Sequence, residues 1–336
     1  MFKRTVLIAL ALVLLLGMIS SCANAEANEV DLEALDMSEF EEIELGLILD
    51  ESIPLAEQPP LSLMLLPEAS RTAYKENSSA VIDYSNITDG YVMCAWLAKD
   101  SSKLKVIVQG PTTKYTYDLK NNGKYETFPL NDGNGKYTVG IYKNKSGTKY
   151  SKIINVSFEV TLKDEFAPFL RPNQYVNFNE KSKIVPKAAE ICKNCKTNLE
   201  KVEAVYNWVI SRLTYDTDKA ADIKAGKITS YVPDVDKILS VRKGICFDYA
   251  ALMAAMLRSQ GVPIKLITGN VKGGGYHAWI NVWSETDGWV NGAIFFNGEK
   301  WERMDPTFAS SNKKGTSKAM LSYIGDGSNY TEKYQY

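Results

Sequence analysis

The hydrophobic period of this chain changes at about Pro172, and that change constrains its fold more than any other feature. Before it, apolar and polar residues alternate. The apolar sets are Leu104, Val106 and Val108; Tyr115, Tyr117 and Leu119; Tyr137, Val139 and Ile141; and Ile154, Val156, Phe158 and Val160. A period of two puts such side chains on one face of a strand. Asn- and Gly-rich turn signals separate the runs, at Asn121-Asn122-Gly123, Asn131 to Gly135 and Asn144 to Gly147. Short strands at that spacing predict a small antiparallel β-sandwich, immunoglobulin-like, over residues 79–165. Past Pro172 the period becomes helical. Lys187 to Cys192 reads as a helix, and Thr197-Asn198-Leu199-Glu200 has the form of a capping box. Val202, Val205, Tyr206, Val209, Ile210 and Leu213 then share one helical face. Tyr215-Asp216 ends that segment, and a polar loop is expected from there to Pro233. The class is α+β, with a second domain over 166–336.

The N-terminus stands apart from both domains. Lys3 and Arg4 precede an apolar run from Val6 to Ile19, then Ser20, Ser21 and Cys22. A basic start, a short apolar middle and small residues describe a secretory signal over residues 1–21. The run is short for a spanning helix, which needs about 20 apolar residues. Ile19-Ser20-Ser21-Cys22 also resembles a bacterial lipobox, which implies cleavage before Cys22 and lipidation of its sulfur. The alternative is ordinary secretion, with cleavage in or after Ala23-Asn24-Ala25. Residues 22–78 read as an acidic, proline-containing tether, with Pro54, Pro59, Pro60 and Pro67. On the lipobox reading the chain is extracytoplasmic, and a lipid holds it to a bacterial membrane. Charge is balanced, 39 basic residues against 40 acidic, so nothing calls for a nucleic-acid partner.

Five cysteines and one histidine carry the chemistry. Cys94 sits in the apolar stretch Val92 to Trp96 and reads as core. Cys192 and Cys195 form a Cys-Lys-Asn-Cys pair with no second pair to complete a zinc site. A structural disulfide and two free thiols both remain open for them. Cys246 follows Gly244 and precedes a helical pattern in which Tyr249, Met253, Met256 and Leu257 share a face. Gly261 and Pro263 end that pattern. Cys246 is therefore expected at a helix N-terminus, where partial positive charge and free amides favour a thiolate and can hold an oxyanion. His277 is expected at the start of a strand running to Trp283. Alternation would put His277, Trp279, Asn281 and Trp283 on one face and Ala278, Ile280 and Val282 on the other. Trp289 to Phe296 and Trp301 to Met304 would continue the sheet, and Asp305-Pro306-Thr307 would close it. The order Cys246, His277, Asp305 supplies a nucleophile, a base and a carboxylate to orient the base.

These segments resemble a known family. Gly244-Ile245-Cys246-Phe247-Asp248-Tyr249-Ala250, Leu257-Arg258-Ser259-Gln260-Gly261-Val262-Pro263, Tyr276-His277-Ala278-Trp279 and Asp305-Pro306-Thr307 look like the core of bacterial transglutaminase-like proteins. Tyr215-Asp216 also fits the pattern, and the likeness covers about 180–310. It implies a papain-like core, a cysteine-bearing helix packed on an antiparallel sheet, following the β-sandwich. It implies catalysis by Cys246, His277 and Asp305, with Tyr215, Phe247 and Trp279 as candidates to line the site or donate to an oxyanion. The implied substrate is a protein or peptide bearing glutamine or another amide. A lysine amine as acceptor gives crosslinking and water gives hydrolysis; a non-catalytic binding or assembly module is the third class. The calcium sites of the animal enzymes are not visible, so neither metal nor cofactor is expected.

Overall fold

A computed structural model of the chain describes residues 64–272, 275–284, 288–290, 294–296, 301–303 and 330–336. The expected signal sequence, Cys22, most of the tether and Asp305 lie outside the described residues. Eight strands come first: β1 (Tyr74–Glu76), β2 (Ala80–Asp83), β3 (Tyr91–Trp96), β4 (Leu104–Gln109), β5 (Lys114–Leu119), β6 (Glu126–Pro129), β7 (Gly135–Ser146) and β8 (Lys149–Val160). They form two four-stranded sheets, ordered β1-β2-β3-β6 and β5-β4-β7-β8, and the pairs in each are antiparallel. The expected alternation is realised: Leu104, Val106, Val108, Tyr115, Tyr117 and Leu119 are all buried. Tyr117 of β5 meets Phe128 of β6 edge-on at 5.2 Å, so the inner faces of the two sheets touch. β2 and β3 are buried along their whole length, which hides any period in their sequences. The first sheet starts at Tyr74, ahead of the expected boundary at 79, so the last residues assigned to the tether belong to the fold.

The second half contains α1 (Ile184–Cys192), α2 (Asn198–Arg212), β9 (Thr214–Tyr215), α3 (Thr217–Lys224), α4 (Val235–Val241), β10 (Lys243–Gly244) and α5 (Cys246–Ser259). Strands β11 (Ile264–Val271), β12 (Gly275–Ser284), β13 (Gly288–Val290), β14 (Ile294–Phe296), β15 (Trp301–Arg303) and β16 (Tyr330–Gln335) follow. α2 starts with the expected capping box. The Glu200 N–H donates to Thr197 Oγ1 at 3.2 Å, and the Thr197 N–H donates to the Glu200 carboxylate at 3.1 Å. The loop expected between Asp216 and Pro233 is instead partly helical. α3 buries none of its residues, so it leaves no apolar stripe to read in the sequence. Its start is set by Asp216, whose Oδ1 accepts from the Lys219 N–H at 3.1 Å.

α5 is the central helix. Every residue from Asp248 to Ser259 is buried, and α1, α2 and α4 pack around it. Ala250, Ala251, Ala254 and Ala255 keep its surface low, and interaxial distance follows the side chains at the contact. The Arg258 guanidinium near its end is fully buried and holds three main-chain oxygens. Nη1 donates to Arg171 at 2.7 Å, and Nη2 donates to Ile264 at 2.7 Å and Tyr336 at 2.6 Å. Burial pushes its pKa down to about 9, which leaves the charge in place at neutral pH.

The sheet behind the helices runs β13-β12-β11-β16. β16 enters it from the end of the chain, a strand the sequence pattern did not reveal. β14 and β15, expected to extend this sheet, pair with one another instead. At Gly269 of β11 an added Cβ would collide with the Thr331 main-chain oxygen of β16, so only glycine permits that approach. In β12 the predicted alternation holds: Ala278, Ile280 and Val282 join the main apolar core. Among the described residues no helix is long and apolar enough to cross a membrane.

Candidate active site

Cys246 is the first residue of α5, as expected. The N–H groups of a first helical turn have no partner within the helix and carry partial positive charge. Ile245 precedes the helix and has no side-chain acceptor to cap them. Asp248 instead holds the residue ahead of the helix and leaves those groups open: its Oδ2 accepts from the Ile245 N–H at 2.9 Å. The same carboxylate is completely buried. It also accepts from Lys219 Nζ at 2.8 Å and from the Tyr231 hydroxyl at 2.6 Å. Burial works to lower the Lys219 pKa, but the bonds to Asp248 and Tyr231 outweigh it and the net shift is upward. Burial, and then the bond to Asp248, push the Tyr231 phenol up to about 12, so it stays a donor. The segment expected to be a plain loop is thus tied to the start of α5. A Cβ on Gly244 would meet the Asp248 Cβ at 2.5 Å, which explains a glycine two residues before the cysteine.

Tyr215 lies beside this junction. β9 pairs with β10 in parallel, Tyr215 opposite Gly244, and the Asp216 N–H donates to the Gly244 oxygen at 2.9 Å. Phe247, beside Cys246, is half-buried, and Trp279 is part of the core. The Phe247 ring lies 5.3 Å from that of Tyr175. Trp279 is 1 % exposed, too little to present a surface to substrate. Its ring stacks on His277 at 6.2 Å and meets Tyr330 edge-on at 5.1 Å. His277 itself is buried on β12, with the Tyr330 ring at 6.5 Å. Beside them Asn281 Nδ2 donates to Glu332 Oε1 at 2.7 Å. The strand that the sequence concealed therefore backs the face that carries the histidine. Asp305 lies outside the described residues.

Asp248, Lys219 and Tyr231 are the residues sequence reasoning missed. An acid at the third position of the helix was the one readable signal, because it matches the reciprocal arm of a capping box. Its partners lie 29 and 17 residues away along the chain and could not be read from spacing.

The other described cysteines are quiet. Cys94 is fully buried, as expected of core, and burial pushes its thiol pKa upward. Cys192 and Cys195 are both thiols, the second of the two readings left open for them. The Cys195 N–H donates to the Cys192 oxygen at 2.9 Å, and the side chains are in hydrogen-bond contact. Burial pushes the Cys192 thiol up to about 12 and raises that of Cys195, which leaves little thiolate for exchange. Among the described residues no group of three or more His, Cys, Asp or Glu side chains is placed to hold a metal ion.

Residues 186–292 match the model of the Transglutaminase-like superfamily. The chain carries a transglutaminase-like domain. Members of that superfamily act as cysteine peptidases or acyltransferases. The matched span includes Cys246 and His277 and ends before Asp305. A UPF0252 protein of Methanocaldococcus jannaschii is 26% identical over 130 residues, 35% of this chain and 37% of its own length. Kyphoscoliosis peptidase of Mus musculus is 30% identical over 124 residues, 36% of this chain and 17% of its own. The chain thus spans well under half of either relative. Among solved structures, the periplasmic domain of TgpA from Pseudomonas aeruginosa is 14% identical with a TM-score of 0.29, covering 70% of this chain and 75% of that one. Red sea bream transglutaminase is 12% identical with a TM-score of 0.27, covering 65% of this chain and 48% of that one.

Proposed function

We propose that this chain performs cysteine-dependent acyl transfer on protein or peptide amides outside the cytoplasm. In this reading Cys246 is the nucleophile, His277 the general base and acid, and Asp305 the carboxylate that orients the imidazole. One observation carries it: Cys246 is the first residue of a buried helix inside the transglutaminase-like match, with the helix start clamped by Asp248.

The chemistry follows from that position. His277 takes the thiol proton, and the Cys246 sulfur attacks the amide carbonyl carbon. Charge moves to the carbonyl oxygen, where the free N–H groups of the first turn of α5 stabilise it. The C–N bond breaks as His277 passes the proton to the departing nitrogen, leaving a thioester on Cys246. A second nucleophile then opens the thioester and restores the thiol. A primary amine in that step yields a new amide; water yields an acid.

Hydrolysis is the second reading, and the likeness to a mammalian protein named a peptidase favours it. Lipidation of Cys22 would hold the enzyme on the outer face of the membrane, with the residues before the sandwich as its spacer.

The test is incorporation of a labelled primary amine into a glutamine-containing protein, with release of free acid measured in parallel. Cys246→Ala should abolish both products. His277→Gln should slow them at least ~100-fold, the scale of losing a general base. Full activity of the Cys246→Ala variant overturns the proposal; free acid without amine adduct selects hydrolysis.

A further inference from the structure

Every residue from 217 to 232 is half-buried or exposed, so this segment, which includes α3, adds nothing to the core. Segments with few buried contacts open locally at low free-energy cost. Its two arms nevertheless converge on one carboxylate, that of Asp248. Lys219, near the start of α3, donates to Oδ2 at 2.8 Å, and the Tyr231 hydroxyl donates to Oδ1 at 2.6 Å. The arms are also tied to each other across twelve residues. Lys219 Nζ donates to the Tyr231 hydroxyl at 3.0 Å and lies 4.9 Å from the centre of its ring.

Asp248 passes this attachment on to the helix start. The oxygen that takes Lys219 also accepts the Ile245 N–H at 2.9 Å. The Ile245 main-chain oxygen accepts from the N–H groups of Asp248 at 2.9 Å and Tyr249 at 3.1 Å. Ile245 is thus held by both of its polar main-chain atoms, and Cys246 is the next residue. The N–H groups of Cys246 and Phe247 are left without a hydrogen-bond partner among the described residues.

A buried ion pair is weak evidence of stabilisation in itself, because desolvation offsets much of the attraction. Here it joins an exposed segment to the one turn that begins with Cys246. A fully buried carboxylate that loses its cation draws in water or a proton, and either loosens its bond to Ile245. We propose that Lys219 and Tyr231 are positioning residues for Cys246: acting through Asp248, they hold the first turn of α5 in the geometry that the thiol chemistry needs. This rests on the reading of Cys246 as the nucleophile.

Two measurements on the full chain test it. Alkylation of Cys246 by iodoacetamide at pH 7, followed by mass spectrometry, reads the thiol without requiring acyl transfer. Lys219→Met should slow it ~3-fold or more, since the dipole of the first turn favours the attacking thiolate only while that turn is held. Cys94 and Cys192 are buried and report the fold, so their labelling should match that of the unaltered chain. Tyr231→Phe keeps the ring beside Lys219 and removes one bond to Asp248. It should slow Cys246 in the same direction by a smaller factor, and it carries the test if Lys219→Met does not fold. In the amine-incorporation assay, Lys219→Met should lower kcat ~10-fold or more with KM within ~3-fold, as a small displacement at the reacting atoms does. Alkylation of Cys246 at the original rate or faster in the folded variants overturns the positioning role. A loss confined to KM also does so, because binding would then have changed in place of geometry. Full activity of Cys246→Ala overturns the acyl-transfer reading instead, and the alkylation rates then decide the clamp by themselves.

Discussion

Replacing Lys219 by methionine isolates the clamp on the start of α5. In the native chain the Asp248 carboxylate is fully buried and takes bonds from Lys219, Tyr231 and the Ile245 N–H. Methionine keeps most of the lysine stem and removes its charge. Asp248 is then left with two neutral donors and no cation. Removing one partner of a buried ion pair costs ~3–5 kcal/mol, because the other charge stays desolvated. The Lys219 side chain is 21 % exposed, so water takes over part of its role and the expected loss falls to ~2–3 kcal/mol. The raised Lys219 pKa sets the pH window. Its contribution is complete below the unfolded value, ~10.4, and fades as pH rises through the folded one. Urea unfolding at neutral pH, followed by tryptophan fluorescence, should give a lower midpoint at an unchanged slope. Adding Asp248→Asn removes the stranded charge, so the double variant should be at least ~1 kcal/mol more stable than the sum of the single losses predicts. A loss below ~0.5 kcal/mol, or strict additivity of the pair, refutes the clamp.

Three further predictions test the scaffold. Arg258→Met takes the donors away from the main-chain oxygens of Arg171, Ile264 and Tyr336 and should cost ~3 kcal/mol or more; an unchanged melting temperature counts against the bridge. Gly269→Ala drives a Cβ into the Thr331 oxygen and should cost ~1–3 kcal/mol, with faster hydrogen exchange along β16. Native exchange rates there would mean that the two strands are not in close contact. The Asp216 pKa is lowered: burial raises it, but the Lys219 N–H and Lys243 together outweigh that. The stabilisation is therefore present above the unfolded value of ~3.9 and lost as pH falls through the folded one. Asp216→Asn should destabilise at pH 7, the gap to wild type narrowing as pH falls below ~3.9, and a gap independent of pH would refute this ionic contribution.

What the sequence revealed of this fold follows from which elements have two unlike faces. β4, β5 and β7 bury one face, so their period is visible; β12 is buried on both, and its period shows only because Ala278, Ile280 and Val282 alternate with His277, Trp279 and Asn281. α2 announces itself through Thr197 and Glu200 and through a stripe of valines. β3 is buried on both faces and α3 on neither, so periodicity is silent for both. β16 was hidden for another reason: its partner β11 lies some sixty residues back, and only the glycine at 269 marks the approach. At the site, Cys246 was legible because Gly261 and Pro263 end its helix and the helix starts at the cysteine. The carboxylate that clamps that helix start was not, because its two side-chain partners come from a segment without an apolar face.

The same contacts give the β-sandwich a task in relation to the candidate nucleophile. Phe247, next to Cys246, packs on Tyr175, and Tyr175 in turn meets Tyr117 of β5 at 5.8 Å and Tyr336 at 4.7 Å. At the other end of α5, Arg258 reaches the main chain of Arg171 and Tyr336. Both ends of the helix are therefore fixed to one short stretch, 171–175, and to Tyr336. Asn131 of the sandwich holds β16, since its Nδ2 donates to the Gln335 main-chain oxygen at 2.6 Å and its own main-chain oxygen accepts from Gln335 Nε2 at 2.8 Å. A helix anchored in this way at both ends cannot slide along its axis without breaking aromatic packing at one end and charge-assisted hydrogen bonds at the other. The sandwich thus shares in fixing the start of α5, where Cys246 stands.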